Sequence, residues 1–181
     1  MDDNYRHIEK EFLSPQECED YIEWAEDIGF EEALIQVSGQ GQVMNKDVRD
    51  NYRVILDSII VARHLWNRME HIAPEMEGWE PIGLNERIRF YRYEFGQQFK
   101  RHMDGPHRRE NGERSWVTMI IYLNDDFDGG ATQFIDPFQM VYPETGSMLL
   151  FKHRQLHQGD PVTKGTKYVM RTDIMYKKIE E

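Results

Sequence analysis

A histidine and an aspartate two residues apart, His102 and Asp104, lie in the stretch FKRHMDGPHRR at residues 99–109. Imidazole nitrogen and carboxylate oxygen are both ligands of transition metals. On a β-strand, residues two apart point to the same face, so the two side chains can reach one ion together. A motif this short arises by chance about once in every two chains of this composition, so a third ligand and independent signals are required.

Three histidines are candidates for the third ligand: His107, His153 and His157. Only His157 opens a run, HQGDPVTKGTKYVMR, in which a basic residue, Lys167, follows ten positions later on the next predicted strand. Two histidines and one carboxylate on one side of a metal leave open positions opposite, which is the arrangement of non-haem Fe(II) oxygenases. A helical zinc pair of His153 and His157 is disfavoured, because both follow a strand-like run and precede Gly159.

The composition narrows the class of protein. The chain has 181 residues, 39% of them hydrophobic, and a net charge of -11, which predicts one compact domain over residues 1–181. Its negative charge argues against nucleic acid as a partner. No stretch approaches the roughly 20 apolar residues that cross a bilayer, so no membrane association is expected. Because Cys18 is the one cysteine and the start MDDNYRHIEKEF lacks a secretory signal, we expect a cytoplasmic protein.

Two helices are predicted in the N-terminal part, about residues 1–80. Ser14 as N-cap, Pro15 at the first helical position and Glu17 three after the cap form a capping box and predict a helix over residues 15–28. The stretch SIIVARHLWNRMEHI predicts a second helix that ends before Pro74. The residues that recur there near helical spacing are Ile60, His64, Met69 and Ile72.

The rest of the chain, about residues 85–177, is predicted to be a β-structure. Short aromatic or β-branched runs alternate with Gly, Asn, Asp and Pro clusters: RIRFYRY, SWVTMIIYL, ATQFI, GSMLLF and KYVMRTDIMY. Strand periodicity places Lys167, Val169, Arg171 and Asp173 on one face. We expect the helices to brace the outside of a closed β-structure.

Four blocks resemble, in order and interval, the Fe(II)- and 2-oxoglutarate-dependent dioxygenases in their prolyl 4-hydroxylase-like branch. The blocks are YEFGQQFKRHMDG, IIYLNDDFDGGATQF, GSMLLFKHRQLHQGDPV and GTKYVMR. The resemblance implies a mostly β fold, a double-stranded β-helix of jelly-roll or cupin-like type. It also implies that His102, Asp104 and His157 are the catalytic iron ligands.

The same resemblance implies a site for the cosubstrate 2-oxoglutarate. Lys167 would pair with its distal carboxylate, Thr132 would lie beside that carboxylate, and Tyr93 and Tyr122 would face the cosubstrate. Elementary electrostatics agrees, because an ionised lysine inside a barrel is costly unless an anion meets it. The alternative for the two tyrosines is ordinary packing inside the barrel.

The activity implied by the resemblance is hydroxylation of an unactivated C–H bond in a small-molecule or peptidyl substrate. Fe(II) and O2 are required, 2-oxoglutarate is converted to succinate and CO2, and ascorbate is a further candidate cofactor. One alternative is a non-catalytic cupin-type protein that binds a metal or ligand and has no need of Lys167. Another is a zinc hydrolase, which would act without oxygen.

Two features leave their alternatives open. Arg171 either neutralises Asp173 in the core or binds a carboxylate of the main substrate. The basic loop, residues 101–114, contains Arg101, Arg108, Arg109 and Arg114. These arginines either balance nearby glutamates or rim the barrel mouth and steer an anionic substrate. We expect the loops around residues 38–50 and 105–115 to set specificity, and no pattern indicates an oligomeric state.

Overall fold

The computed structural model describes residues 2–33, 35–37, 41–43 and 50–179. Strands dominate, so the prediction of a mostly β fold is confirmed. The elements in chain order are β1 (Arg6–Glu9), α1 (Pro15–Ile28), β2 (Glu31–Glu32), β3 (Ile35–Val37), β4 (Gly41–Val43), β5 (Tyr52–Asp57), α2 (Ile59–Met69), a 3-10 turn (Glu70–Ile72), β6 (Trp79–Leu84), β7 (Arg87–Tyr93), β8 (Phe99–His102), β9 (Arg114–Tyr122), β10 (Asp128–Gly129), β11 (Thr132–Ile135), β12 (Phe138–Val141), β13 (Met148–Lys152), β14 (His157–Gly159), β15 (Val162–Lys164) and β16 (Lys167–Lys178).

The first helix begins and ends as predicted. The hydroxyl of Ser14 accepts from the N–H of Glu17 over 3.2 Å, and the Glu17 carboxylate accepts from the N–H of Ser14 over 2.7 Å. Two donors that helix geometry leaves unpaired are thereby satisfied. Cys18 and Ala25 are the buried residues of the helix, so its narrow apolar side packs on the core.

The second helix forms in the predicted stretch and buries one side of it. The helix starts at Ile59 behind its N-cap Ser58, and Ile59 and Ile60 are 65% and 83% exposed. The buried face is formed by Val61, Ala62, Leu65 and Met69. Of the four residues that recur near helical spacing, Met69 is buried and Ile72 half-buried, whereas Ile60 and His64 are exposed.

Most strands form two antiparallel sheets. The large sheet has eight strands in the order β1-β13-β9-β16-β7-β5-β2, with β6 paired to β16 beside this path. The small sheet has four strands in the order β12-β11-β14-β8, and β10-β15 and β3-β4 form two short pairs. Because β1, β2 and β5 enter the large sheet, the N-terminal part is only partly helical and helical bracing is minor.

The two faces of the large sheet bury two different clusters. One face packs with both helices around residues such as Leu65, Met119 and Leu150. The other face turns toward the small sheet around residues such as Tyr122 and Phe151. Strand alternation explains this division, since neighbouring residues of β9 and β13 point to opposite faces. In the described part of the chain, neither helix has the length and apolar character of a membrane-crossing segment.

Candidate metal centre

Three side chains that can bind a metal converge between the two sheets. His102 lies at the end of β8, His157 at the start of β14, and Asp104 in the loop two residues beyond β8. One ligand atom from each lies within 4.8 Å of the others. His157 is opposite His102 in the β14–β8 register, with ring centroids 4.2 Å apart. Asp104 does not share the strand with His102 as expected, because β8 ends at His102 and the carboxylate reaches the site from the loop.

Each of the two histidines is oriented by a backbone carbonyl two residues before it. Nδ1 of His102 lies 2.7 Å from the oxygen of Lys100, and Nδ1 of His157 lies 2.9 Å from that of Gln155. A carbonyl oxygen can only accept, so Nδ1 is the donor in both rings, and the neutral tautomer then has its lone pair on Nε2. The two Nε2 atoms lie 3.8 and 3.9 Å from the carboxylate of Asp104. Both rings therefore direct Nε2 toward Asp104, which is the nitrogen available to bind a metal.

Burial and neighbouring charges shape the protonation of the centre. Desolvation lowers the pKa of His102 to about 4, and the adjacent His157 adds to the effect. Burial alone would raise the pKa of Asp104, but Arg171 above all holds the pKa of this carboxyl well below its usual range. The Thr118 hydroxyl donates to Oδ2 of Asp104 over 2.7 Å. The carboxylate is thus ionised and fixed in orientation.

A buried chain of charges extends from Asp104 along β16. Nη2 of Arg171 lies 3.1 Å from Oδ1 of Asp104 and 3.3 Å from Oδ1 of Asp173. Asp173 also has Nε2 of His153 at 3.4 Å and Nη1 of Arg89 at 3.7 Å. Burial opposes the charge of Arg171, yet the two carboxylates raise its pKa above the ordinary value. Arg171 therefore neutralises Asp173, as one interpretation held, and it also holds Asp104.

Lys167, the first residue of β16, lies buried in the same pocket. Its Nζ donates to the carbonyl of Gly130 over 2.6 Å and lies 5.4 and 5.5 Å from the ring centroids of Tyr93 and Tyr122. Among the residues that the structure describes, no carboxylate forms a salt bridge with it. Desolvation lowers the pKa of Lys167 to about 8. An incoming anion would therefore restore the charged form.

The other residues predicted to face the cosubstrate line this pocket too. The hydroxyls of Tyr122 and Thr132 are 2.7 Å apart, and burial raises the pKa of Tyr122, so its hydroxyl stays protonated. Tyr93 is opposite Lys167 in the β7–β16 register. The structure thus brings all seven predicted site residues into one pocket. Their roles toward a metal and a cosubstrate stay predictions.

The two other histidines considered as the third ligand lie outside the triad. The side chain of His153 is directed toward Asp173. His107 donates through its backbone N–H to the hydroxyl of Ser115 over 2.8 Å. Within the described ranges, the single group of three metal-binding side chains contains neither of them.

Sequence reasoning missed three contacts of the centre. Phe99 stacks on the ring of His102, with centroids 3.5 Å apart and an interplanar angle of 14°. Thr118 and Arg171 both hold Asp104, although they lie on different strands. A hydroxyl inside the apolar run SWVTMIIYL was the available signal for Thr118.

The core of the chain is similar to known proteins. Residues 88–172 match the family model described as the 2OG-Fe(II) oxygenase superfamily. A PKHD-type hydroxylase from Paraburkholderia phytofirmans is 38% identical over 85 residues, which cover 43% of this chain and 37% of that protein. The chain spans well under half the length of the PKHD-type relatives that it matches.

Solved structures share the fold over nearly the whole chain. The viral collagen prolyl hydroxylase from Paramecium Bursaria Chlorella virus-1, solved as a 2OG complex, has a TM-score of 0.65 at 21% identity and covers 94% of this chain and 96% of its own. A Trichoplax adhaerens prolyl hydroxylase in complex with a hypoxia inducible factor peptide fragment has a TM-score of 0.71 at 18% identity and covers 93% and 82%. The resemblance predicted from the four sequence blocks is therefore confirmed: over residues 88–172 this chain is similar to the 2OG-Fe(II) oxygenase superfamily, with relatives in the prolyl 4-hydroxylase-like branch.

Proposed function

We propose that this protein is an Fe(II)- and 2-oxoglutarate-dependent dioxygenase that hydroxylates an unactivated C–H bond. The observation that carries the proposal is a single pocket with two unlike ends. One end offers His102, Asp104 and His157 with ligand atoms within 4.8 Å, and the other offers the buried ammonium of Lys167. A dicarboxylic acid chelating a metal at one end and meeting a cation at the other matches both ends.

The donor set fits Fe(II). Two imidazole nitrogens and one carboxylate are the ligands of non-haem Fe(II) oxygenase sites, which keep positions open for other ligands. Arg171 and Thr118 each occupy one acceptor position on Asp104, and a carboxylate has about four such positions, so capacity for a metal is left.

The residues around Lys167 fit a carboxylate. The ammonium has three donors and, in the described part of the chain, one protein acceptor, the carbonyl of Gly130. A Cβ on Gly130, at φ +64°, would lie 3.1 Å from Cδ of Lys167, so glycine allows this close approach. The hydroxyl pair of Tyr122 and Thr132 can supply a further donor to the same anion.

Each residue has a distinct task in the proposed reaction. When bound, Fe(II) would supply the activation of O2 that the oxidative decarboxylation of 2-oxoglutarate requires. Asp104 would stay ionised because Arg171 and Thr118 stabilise its charge. Lys167 would fix the distal carboxylate of the cosubstrate, and Phe99 and Tyr91 line the same pocket. The protein thereby orients the reactants and excludes side reactions.

We also propose the finer architecture and the substrate class. The large and small sheets would form the two halves of a double-stranded β-helix within one domain, which the likeness to prolyl hydroxylase structures supports. The Trichoplax adhaerens neighbour was solved with a peptide fragment, which supports a peptidyl or small-molecule substrate.

The test is turnover with an unbiased product search. Protein, Fe(II), ascorbate and 2-oxoglutarate are incubated in air with a cell extract, and mass spectrometry follows succinate and any component that gains one oxygen. The proposal predicts both signals in the wild type and neither in Asp104→Ala. Succinate-free, oxygen-independent hydrolysis of an extract component would instead support a zinc hydrolase.

A further inference from the structure

A second, larger cleft opens at the end of the strands where the candidate metal ligands lie. Its volume is 790 Å³, against 50 Å³ for the inner pocket. Ligand pockets typically measure about 300–1,000 Å³, so the outer cleft is of a size for a substrate. The cleft is close to the centre, because the N–H of Arg154 donates to the carbonyl of Asp104 over 3.3 Å.

Three arginines from three different segments line this arginine cleft. Arg108 belongs to the loop after β8, Arg114 begins β9, and Arg154 lies between β13 and β14. None of the three forms a salt bridge with another residue of the described ranges. By contrast Arg109, in the same loop as Arg108, is paired with Glu86 and with Glu113. The two neighbouring arginines therefore differ: Arg109 is neutralised by glutamates, whereas Arg108 lines the cleft.

The three cations oppose one another. Burial lowers the pKa of Arg114, and the positive charges of Arg108 and Arg154 lower it further. Like charges gathered in one cleft repel, and an anion between them removes the repulsion. In a chain with a net charge of -11, this local excess of positive charge runs against the overall charge.

Ordered and partly buried side chains line the interior of the cleft. The guanidinium of Arg114 lies 3.7 Å from the ring centroid of Trp116 and is fixed by this stacking. Nε of Arg114 and Nε1 of Trp116 are buried and have no hydrogen-bond partner within the described part. Arg154 adopts φ +67°, a left-handed conformation that is uncommon for residues other than glycine and that concentrates at functional sites.

We propose that the arginine cleft binds the main substrate through its carboxylate groups. The proposal rests on the proposed function, since it places an anionic substrate next to the metal centre. Guanidinium groups match carboxylates in planar, bidentate geometry, and three separated guanidiniums match carboxylates that are spaced along a ligand. Lys152, which is paired with Asp3, and Asp136 also line the cleft, so cations outnumber carboxylates there.

Binding of an acidic peptide tests this without any catalysis. A fluorescein-labelled peptide of four Glu-Gly repeats is titrated with protein in the absence of metal and 2-oxoglutarate, and fluorescence anisotropy gives the affinity. The double variant Arg108→Gln/Arg154→Gln, both at exposed positions, should lose about tenfold or more in affinity and show a flatter dependence on ionic strength. Thermal unfolding checks that the variant is folded.

The matched control removes two positive charges elsewhere. Arg63→Gln/Lys178→Gln alters exposed residues of α2 and β16 and should keep the wild-type affinity. Equal losses in both double variants, or no loss in either, would overturn the proposal. The peptide-binding assay contains no metal, so it is independent of turnover. A wild-type protein that does not turn over 2-oxoglutarate would contradict the proposed function alone. Normal turnover, together with unchanged peptide binding in Arg108→Gln/Arg154→Gln, would contradict the cleft proposal alone.

Competition identifies the source of the carboxylates. Displacement of the labelled peptide by unlabelled peptide but not by citrate supports an acidic peptide as the substrate. Displacement by citrate at equal carboxylate concentration supports a free small acid. Inorganic phosphate that displaces the peptide at lower concentration than citrate would contradict the assignment to carboxylates.

Discussion

Arg171 and Asp104 form a buried ion pair, with 3.1 Å between Nη2 and Oδ1. Two cationic residues of β16, Lys167 and Arg171, line the pocket, and they differ in their partners. Arg171 is committed to Asp104 and Asp173, whereas Lys167 lies four residues earlier with a single backbone acceptor in the described structure. An anion entering the pocket would therefore find its counter-charge at Lys167.

Removal of Lys167 should weaken 2-oxoglutarate and spare the metal. Lys167→Ala leaves the distal carboxylate unpaired in a desolvated site, at a cost on the order of 2 to 5 kcal/mol, which is more than tenfold in affinity. Calorimetric titration of 2-oxoglutarate into Mn(II)-loaded protein measures it, with Lys164→Ala, at the exposed end of β15, as control. Normal affinity in Lys167→Ala with lost affinity in Arg171→Ala would reverse the assignment.

The affinity for 2-oxoglutarate should fall above pH 8. Desolvation lowers the pKa of Lys167 in the free protein to about 8. Below that pH the lysine is already charged and the affinity is flat, whereas above it binding must take up a proton and weakens by up to about tenfold per pH unit. Lys167→Arg keeps its charge, so its affinity should stay flat over the same range. Identical pH profiles in the two proteins would refute the role of Lys167.

The Thr118 hydroxyl should matter for metal affinity. Thr118→Val is nearly isosteric and removes the donor to Oδ2 of Asp104, and loss of such an outer partner typically costs about 10- to 100-fold in metal affinity. Thr172→Val is the matched control, since this buried threonine donates to the carbonyl of Asn85 instead. Competition with a chelating dye for Co(II) gives both affinities. Equal metal binding in the two variants would show that Thr118 only packs.

Arg171 should be energetically coupled to Asp173. Arg171→Met leaves buried carboxylates without their main cation, and breaking a buried pair in this way destabilises by about 3 to 5 kcal/mol. Asp173→Asn in the same chain should recover part of that loss, because it removes one of the two stranded charges. Urea unfolding of the two single variants and the double variant measures the coupling. Additive losses would mean that the 3.3 Å contact contributes no coupling energy.

Much of this site can be predicted from the sequence, because strand periodicity determines which residues of β16 share the face that lines the pocket. Lys167, Val169 and Arg171 line the pocket together, as alternation on β16 requires. The contact of Arg171 with Asp104 could not be predicted, since Asp104 lies in a loop whose path no local pattern determines. The exposure of Ile60 on α2 could not be predicted, because no local pattern separates this apolar residue from its buried neighbours. Of the two loops expected to set specificity, residues 38–40 and 44–49 lie outside the described residues, whereas residues 105–115 supply Arg108 and Arg114 to the cleft.

The most direct test of the central claim is an anaerobic titration of 2-oxoglutarate into Fe(II)-loaded protein, followed by the weak visible absorption of the iron chelate. The wild type should develop the band, and so should His153→Ala, whose imidazole is directed toward Asp173. His102→Ala, Asp104→Ala and His157→Ala should each lose iron and the band, because a site with three protein ligands loses one of them. A band that persists in His157→Ala and disappears in His153→Ala would contradict the proposed centre, and no band in the wild type would contradict the proposed function itself.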